Sequence, residues 1–236
     1  MLHHGGMGAR AGIAAAVACV IALGSAGCAS PTVPDATEPR PGYSAPIALP
    51  EPSDLGTVTL AQALTARRSV REFGDVLLSE QQVSDLMWAA QGVTSAGGGR
   101  TAPSAGALYP LEVYVVTDGA VLHYLPDGHR AEYRDSATAR LAVADAVGQD
   151  SAREAPAVVV IAGVPARLEP KYGGRAERYL LLEAGHAAQN LLLAATALGL
   201  GGVPIGAFGD DALARALDLQ AGEQTVYAIP VGLPGR

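Results

Sequence analysis

A short basic segment, Arg67-Arg68-Ser69-Val70-Arg71, contains the residue types that most directly suggest ligand chemistry. Guanidinium groups are permanently charged, forked donors, and a neighbouring hydroxyl adds one more, so the segment could hold a phosphate. A helix could strengthen such a site only if its amide end faced the phosphate. Taken alone, the segment is better explained as a solvated basic patch.

A second segment joins a loop of small residues to a strand. The loop contains Pro103-Ser104-Ala105-Gly106-Ala107 and leads to the apolar residues 111–116. Small side chains let a flat ligand approach the backbone closely. An ordinary turn before a strand would produce the same pattern.

A third group of polar residues interrupts an otherwise apolar helical stretch and comprises Glu183, His186, Gln189 and Asn190. Buried polar groups need partners, so we expect these to bond to neighbouring backbone or to the edge of a ligand. For His186 we expect a satisfied core histidine rather than a catalytic one.

The glycine-rich residues 199–208 do not form a Rossmann fingerprint, because Pro204 stands where the third glycine is required and no strand precedes them. The chain also contains no G-x-S-x-G and no H-E-x-x-H, and Lys171 is its only lysine. A hydrolase triad therefore has no obvious nucleophile. No catalytic side chain is predicted.

Composition narrows the function classes. The 236 residues are 49% hydrophobic and 17% charged, which suits one domain with a substantial core. The net charge of −7, without a long basic run, argues against a nucleic-acid binder. Two cysteines cannot form a disulfide scaffold, and Cys and His are too few and scattered for a structural zinc site. No apolar stretch reaches the spanning length of about 18 to 20 residues, so an all-membrane protein is excluded.

The N-terminus predicts export. Arg10, the apolar residues 11–23 and a small-residue stretch indicate a signal peptide over residues 1–27. Cys28 follows Ala26-Gly27 and resembles a bacterial lipobox cysteine, although Ser25 replaces the preferred leucine. We expect Cys28 to be acylated and the protein to be lipid-anchored to the cell envelope; secretion without lipid and a misread apolar N-terminus are the alternatives.

Seven prolines lie between residues 29 and 54, a density that disfavours helices and sheet ladders. We therefore predict a solvated Pro-rich tether over residues 28–55, with a disordered leader of no function as the alternative. The folded body is predicted over residues 56–236.

The body alternates helical and strand-like patterns. Helices are predicted to begin at Leu60 and after an N-cap at Ser79, and to cover residues 137–147, 177–198 and 210–217. Strands are predicted over residues 111–116, 121–125, 157–162 and 225–229, and residues 202–208 as a short strand or loop. This order indicates an α+β fold or a three-layer α/β sandwich.

The predicted helix over residues 177–198 is apolar nearly all round, so we expect it to be buried on every side. It would then be central to the domain or shared across a dimer. A plain core helix explains the pattern equally well.

In order and spacing, these segments resemble the nitroreductase family, and within it the SagB/ThcOx-type dehydrogenases. The resemblance covers residues 57–234 and rests on five matches in register: residues 67–73, 103–112, 178–190, 197–208 and 229–232. It implies an α+β three-layer sandwich with a mixed, mainly antiparallel central sheet and a long buried helix. It also implies an FMN-dependent homodimer with flavin at the dimer interface.

The same resemblance implies roles for individual residues. Arg67, Arg68 and Ser69 would hold the phosphate and ribityl end of FMN, and Arg71 would lie beside the N1/O2 side of the ring. From the other chain, the ring or tail would be lined by Pro103, Ser104, Ala105 and Gly106. The flavin ring would also contact Pro204, Ile205, Gly206 and Ala207, with the last two near N5. Arg236 could replace a C-terminal basic pair found in many relatives.

The resemblance implies an FMN-dependent oxidoreductase that moves a hydride or two electrons from a donor such as NAD(P)H to a small nitro or quinone acceptor by a ping-pong mechanism. Its partners would be a second copy of the chain and a small-molecule substrate, with membrane contact only through the lipid anchor. One alternative is a SagB-type dehydrogenase that oxidises a peptide or small molecule. Further alternatives are a flavin-binding or ligand-binding lipoprotein without turnover and a tethered interaction module.

Overall fold

A computed structural model describes residues 40–235, which belong to one compact unit. The predicted signal peptide, Cys28 and Arg236 lie outside the described residues. Within residues 40–235, no helix has the length and apolar character needed to cross a bilayer.

Seven strands form a single sheet in which all neighbouring strands run antiparallel. The strands are β1 (Ile47–Ala48), β2 (Leu111–Val116), β3 (Ala120–Leu125), β4 (Arg130–Asp135), β5 (Ala157–Gly163), β6 (Gly201–Gly202) and β7 (Gln224–Gly232). Their order across the sheet is β1-β4-β3-β2-β5-β7-β6. Among the described residues, the only parallel pairing is an isolated bridge between Ser69 and Gly202.

Within residues 40–235, seven α-helices accompany this sheet. They are α1 (Leu60–Ala66), α2 (Glu80–Gln91), α3 (Ala139–Val147), α4 (Asp150–Glu154), α5 (Glu169–Tyr172), α6 (Ala176–Ala197) and α7 (Asp210–Leu217). Helix α2 begins at the predicted N-cap: the Ser79 hydroxyl accepts from Gln82 N, and the Gln82 side chain accepts from Ser79 N. This reciprocal capping box fixes the start of the helix.

Two apolar clusters, one on each face, make the fold a three-layer α+β sandwich, as predicted. The alternation of β5 shows this directly: Val159 and Ile161 belong to the cluster that contains α2 and α6, whereas Val158 and Val160 belong to the cluster that contains α3 and α7. All seven residues of β5 are buried, which confirms the predicted strand with two buried faces.

The folded part begins earlier than residue 56. Residues 40–55 lie against the domain, and β1 pairs with β4 inside the segment predicted to be a solvated tether. The prediction of a solvated tether was wrong because Ile47 and Ala48 pair with β4 at the edge of the sheet. The neighbouring prolines, which have no N–H to donate, are tolerated at an edge. Strand β4 was also not predicted, because its polar residues Arg130, Glu132 and Arg134 leave it without an apolar run.

Helix α6 is not buried on every side within one chain. Leu181 and Leu182 are half exposed, at 50% and 52%. They border a shallow surface cavity lined also by Gly174, Glu177 and Arg178. The expectation of full burial was wrong for the single chain, because the helix packs one face on the sheet and leaves an apolar face uncovered.

Candidate functional site

The basic segment follows α1 and runs along the edge strand β6. Val70 N donates to the Gly202 carbonyl at 3.1 Å, and Ser69 forms the parallel bridge with Gly202. A Cβ atom at Gly201 would lie 2.5 Å from Val70 Cγ2, so only glycine allows this approach. The sequence therefore fixes the backbone of residues 69–70 against the glycine pair of β6.

The side chains of the segment are available to an anion. Arg67 is half-buried, and Arg68, Ser69 and Arg71 are exposed. The Arg68 guanidinium donates to the carbonyls of Thr65 and Arg67, at 2.7 and 2.8 Å. Within residues 40–235, none of the three arginines forms an ion pair with a carboxylate. Their positive charge is therefore not neutralised by pairing, as a phosphate site requires.

Arg71 differs from the other two arginines in its surroundings. It borders a shallow surface cavity whose lining includes Asp150 and Glu154. These carboxylates lie too far away to form an ion pair, yet they reduce the positive potential at this end of the segment.

The segment Pro204-Ile205-Gly206-Ala207 follows β6 along the same edge of β7. Ile205 N and O bond to Ala228 O and N at 2.9 and 3.0 Å, which fastens the segment to β7. Gly206 and Ala207, directly after this attachment, are exposed. Because β6 contacts Ser69 and leads into this segment, the basic residues and residues 204–207 form one continuous region, which we call the β6 half-site.

The loop from Pro103 to Tyr109 forms a second region on the middle of α6. Ala105 N donates to Glu183 Oε1 at 2.7 Å, and Tyr109 N donates to Ser104 Oγ at 2.9 Å. Gly106, Ala107 and Tyr109 have φ angles of 63°, 55° and 45°. Non-glycine residues in this left-handed region cost about 1–3 kcal/mol each, so surrounding contacts must hold the loop in place.

Two cations provide such contacts. The Arg100 guanidinium lies 4.2 Å from the Tyr109 ring centroid, and Arg167 Nη1 donates to the Tyr109 carbonyl at 3.0 Å. Lys171 also approaches the loop: its Nζ would be 2.6 Å from a Cβ at Gly106. Sequence reasoning noted Lys171 only as the single lysine. Its place in α5, between the buried strand β5 and the long helix α6, is the signal that could have directed attention to it.

The polar residues of α6 divide into two groups. Glu183 is buried and accepts from Ala105 N, and Asn190 Nδ2 donates to the Thr101 carbonyl at 2.9 Å. Both bond to neighbouring backbone, as expected. Burial raises the pKa of Glu183 above its usual range, although the Ala105 hydrogen bond opposes this.

His186 and Gln189 are exposed, so the expectation of a core histidine was wrong. His186 lies one turn after Leu182, on the face of α6 that the chain leaves uncovered.

The chain thus presents two separate half-sites. Within residues 40–235, no hydrogen bond or ion pair joins the loop of residues 103–109 to the basic segment of residues 67–71. The β6 half-site offers cationic and hydroxyl donors beside exposed backbone. The loop offers small side chains and a tightly held, strained backbone.

Comparison with known proteins gives one consistent result. The model of the nitroreductase family matches residues 64–233. A proposed nitroreductase of Methanocaldococcus jannaschii is 38% identical over 187 residues, which cover 76% of this chain and 93% of that protein.

Solved structures agree in fold. A proposed nitroreductase from Ralstonia eutropha has a TM-score of 0.74 at 32% identity, and the match covers 81% of this chain and 90% of that one. The NADPH:FMN oxidoreductase from Vibrio harveyi, solved with NAD+, has a TM-score of 0.56 at 22% identity, covering 75% and 69% of the two chains. At that identity the likeness shows the fold alone.

Proposed function

Because this chain belongs to the nitroreductase family, an oxidoreductase family, we propose that it is an FMN-dependent enzyme that transfers a hydride or two electrons to a small organic acceptor. The observation that carries the proposal is the β6 half-site, where Ser69 and three arginines that pair with no carboxylate of residues 40–235 stand beside exposed backbone. This donor set suits a phosphate with a planar group next to it.

The residues of the chain fit FMN. Arg67 and Arg68 would bind the phosphate through forked, charge-assisted hydrogen bonds, and the Ser69 hydroxyl would add a neutral donor. The missing side chain at Gly201 lets this segment lie against β6, and the exposed backbone at Gly206 and Ala207 would face the ring. When bound, FMN supplies the two-electron chemistry, so the protein contributes binding, orientation and electrostatics.

Arg71 would lie beside the N1/O2 side of the ring, where a fixed cation stabilises negative charge. NAD(P)H is the proposed donor, and a nitro or quinone compound the proposed acceptor. Donor and acceptor would use the same site in turn, which is a ping-pong scheme.

We further propose that the active unit is a homodimer. Leu181 and Leu182 on α6 are half exposed, and Leu60 and Leu64 on α1 are exposed at 66% and 55%. Uncovered apolar faces of this kind mark protein interfaces. A second chain would cover them and could bring its loop of residues 103–106 to the β6 half-site, which a single chain does not do.

Export and lipid anchoring remain proposals based on the sequence. The N-terminal pattern supports removal of residues 1–27 and acylation of Cys28. Mass spectrometry of the mature N-terminus tests both, and a Cys28→Ala variant should lose the lipid mass.

The experiment that tests the function is an FMN titration of the purified full chain, kept in mild detergent and followed by absorbance. We expect a stable flavin spectrum that is bleached by NADH or NADPH and restored by a quinone. Removing charge-assisted hydrogen bonds costs about 1.5–3 kcal/mol each, so the Arg67→Ala/Ser69→Ala variant should bind FMN at least about tenfold more weakly.

Arg153→Ala is the control, since Arg153 is an exposed arginine that pairs with Asp145, and this variant should bind FMN normally. A folded wild-type protein that retains no flavin would refute the proposal. Flavin that binds but is reduced by no donor would instead indicate a flavin-binding protein without turnover.

A further inference from the structure

The N-terminal arm, defined as residues 40–53, is attached to the domain along its length. Beyond the pairing of β1 with β4, the Pro50 carbonyl accepts from the Ser84 hydroxyl at 2.6 Å. The hydroxyl and backbone N of Ser53 donate to the Asp85 carboxylate at 2.7 and 2.8 Å. The arm is therefore a structural element of the domain.

Arg40, at the start of the arm, inserts its guanidinium among buried carboxylates. Its Nη1 lies 2.6 Å from Glu223 Oε1, its Nε lies 3.2 Å from Glu132 Oε1, and its backbone N donates to Glu132 Oε2 at 3.0 Å. The side chains of Glu132 and Glu223 are only 2% and 5% exposed. Burying two carboxylates is costly unless a cation compensates them, and the arm supplies one.

His123 completes the compensation. Its Nε2 lies 2.7 Å from Glu112 Oε2 and 3.1 Å from Arg40 Nη2, and its Nδ1 lies 2.9 Å from Glu132 Oε1. Both ring nitrogens therefore face carboxylates, which favours the imidazolium form, whereas the neighbouring Arg40 charge opposes it. Burial alone would lower the pKa of His123, but the two carboxylates raise it. The three glutamates are then balanced by three cations. The buried charge cluster consists of Arg40, Glu112, Tyr114, His123, Glu132, Arg167 and Glu223.

Glu112 links the cluster to the loop of residues 103–109. Its Oε2 faces His123 and lies 3.5 Å from Arg40 Nη2, while its Oε1 pairs with Arg167. Arg167 in turn donates to the Tyr109 carbonyl at 3.0 Å. One carboxylate therefore joins the arm to the arginine that holds the end of the loop.

The loop depends on such support. Ala107 and Tyr109 are non-glycine residues with positive φ, and Tyr109 N bonds back to Ser104 Oγ. Arg167 bonds to the carbonyl of Tyr109, at the end of this strained stretch. If Arg167 loses its orientation, the left-handed geometry loses one of the contacts that maintain it.

We propose that Arg40 is a positioning residue for the candidate site: by completing the buried charge cluster, it orients Arg167 through Glu112 and thereby fixes the loop of residues 104–109. The effect on flavin rests on the proposed function. The effect on the loop does not, so the two can be tested separately.

The first test is hydrogen–deuterium exchange of the flavin-free full chain, measured at the amides of Ala105 and Tyr109. Arg167→Gln removes the direct contact and should accelerate exchange at both amides by about tenfold. Arg40→Gln acts indirectly and should accelerate it by about threefold. Ser53→Ala is the matched control, because it removes an arm contact to Asp85 without touching the cluster, and it should leave both amides unchanged.

The second test is FMN titration of the same variants. Arg40→Gln and Arg167→Gln should weaken binding by about threefold to tenfold, in the order of their exchange effects, whereas Ser53→Ala should not. If wild-type protein binds no FMN, the proposed function fails while the exchange experiment still decides the role of Arg40.

Exchange at Ala105 and Tyr109 that is unchanged in Arg40→Gln, or equally raised in Ser53→Ala, overturns the proposal. Should Arg40→Gln fail to fold, Arg40→Lys decides instead. Lysine keeps the charge but cannot reach Glu132 and Glu223 together in the same way. It is expected to accelerate exchange at the two amides, and wild-type exchange in that variant would overturn the proposal.

Discussion

Replacing Gly201 with alanine tests whether the basic segment owes its position to the close approach of β6. The new Cβ would lie 2.5 Å from Val70 Cγ2 and 2.7 Å from Val70 Cβ. Ordinary carbon–carbon contacts are about 3.5–4.0 Å, so Val70 would have to move by roughly 1 Å. Because Ser69 and Arg71 adjoin Val70, the donors of the half-site would move with it.

Overpacking of this kind costs about 1–3 kcal/mol, so we expect Gly201→Ala to lose about 2 kcal/mol of unfolding free energy in chemical denaturation. FMN binding should weaken by about tenfold, the equivalent of about 1.4 kcal/mol. Val70→Ala removes the obstructing methyl groups. The Gly201→Ala/Val70→Ala double variant should therefore recover much of both losses, with a coupling energy of about 1–2 kcal/mol.

Gly74→Ala is the control, because a Cβ there meets no atom within 4 Å. It should change neither stability nor flavin affinity. The reasoning is refuted if the losses of the two single variants simply add in the double variant, or if Gly201→Ala binds FMN as tightly as the wild type.

Three further predictions concern the buried cluster, the apolar face and the loop. Burial alone would raise the pKa of Glu112, but the hydrogen bond and charge of His123 and the charges of Arg167 and Arg40 lower it to about 2. The contribution of Glu112 to the unfolding free energy, on the order of 3 kcal/mol, should therefore be present above pH 4.5 and lost as the pH falls toward 2. The pKa of His123 is raised, so its contribution to the unfolding free energy should be lost as the pH rises through that pKa. Unfolding free energies measured across pH should therefore decline at both the acidic and the basic end. Leu181→Asp/Leu182→Asp should give a folded monomer with weak FMN binding, measured by light scattering, circular dichroism and titration; a variant that remains dimeric would place the interface elsewhere. Gly106→Ala adds a side chain at a φ of 63°, where its Cβ would lie 2.6 Å from Lys171 Nζ, so it should lower the unfolding free energy by about 1–3 kcal/mol. It should also weaken FMN binding by about threefold to tenfold, and unchanged affinity would show that the loop does not contact the flavin.

Much of the fold follows from local sequence signals. The β-branched run of β5 can be recognised because both of its faces are buried and it needs no alternation. The start of helix α2 is indicated by Ser79 and Gln82, which form its capping box. The basic segment of residues 67–71 and the glycines at 201 and 206 could also be singled out as candidate site residues, because each belongs to a short continuous stretch of sequence.

The parts that escaped prediction depend on distant residues. Arg40 looks like one charge in a proline-rich stretch, and only the folded sheet brings it to Glu132 and Glu223. The uncovered face of α6 could not be distinguished from a buried one, because Leu181 and Leu182 have the same composition as the core. Lys171 became a neighbour of the loop only through the turn that leads into α6.

The ion pair between Arg40 and Glu223 also constrains the order in which the domain can be completed. Its two members come from opposite ends of the described chain, so the pair can form only after nearly the whole polypeptide is available. The same is true of β6 and β7, which pair near the C-terminus and receive the basic segment from near the other end. Contacts of such long sequence separation form slowly, because a large loop must close before they contribute stability. A nascent chain of this design is therefore expected to complete its fold only when its last strand is available.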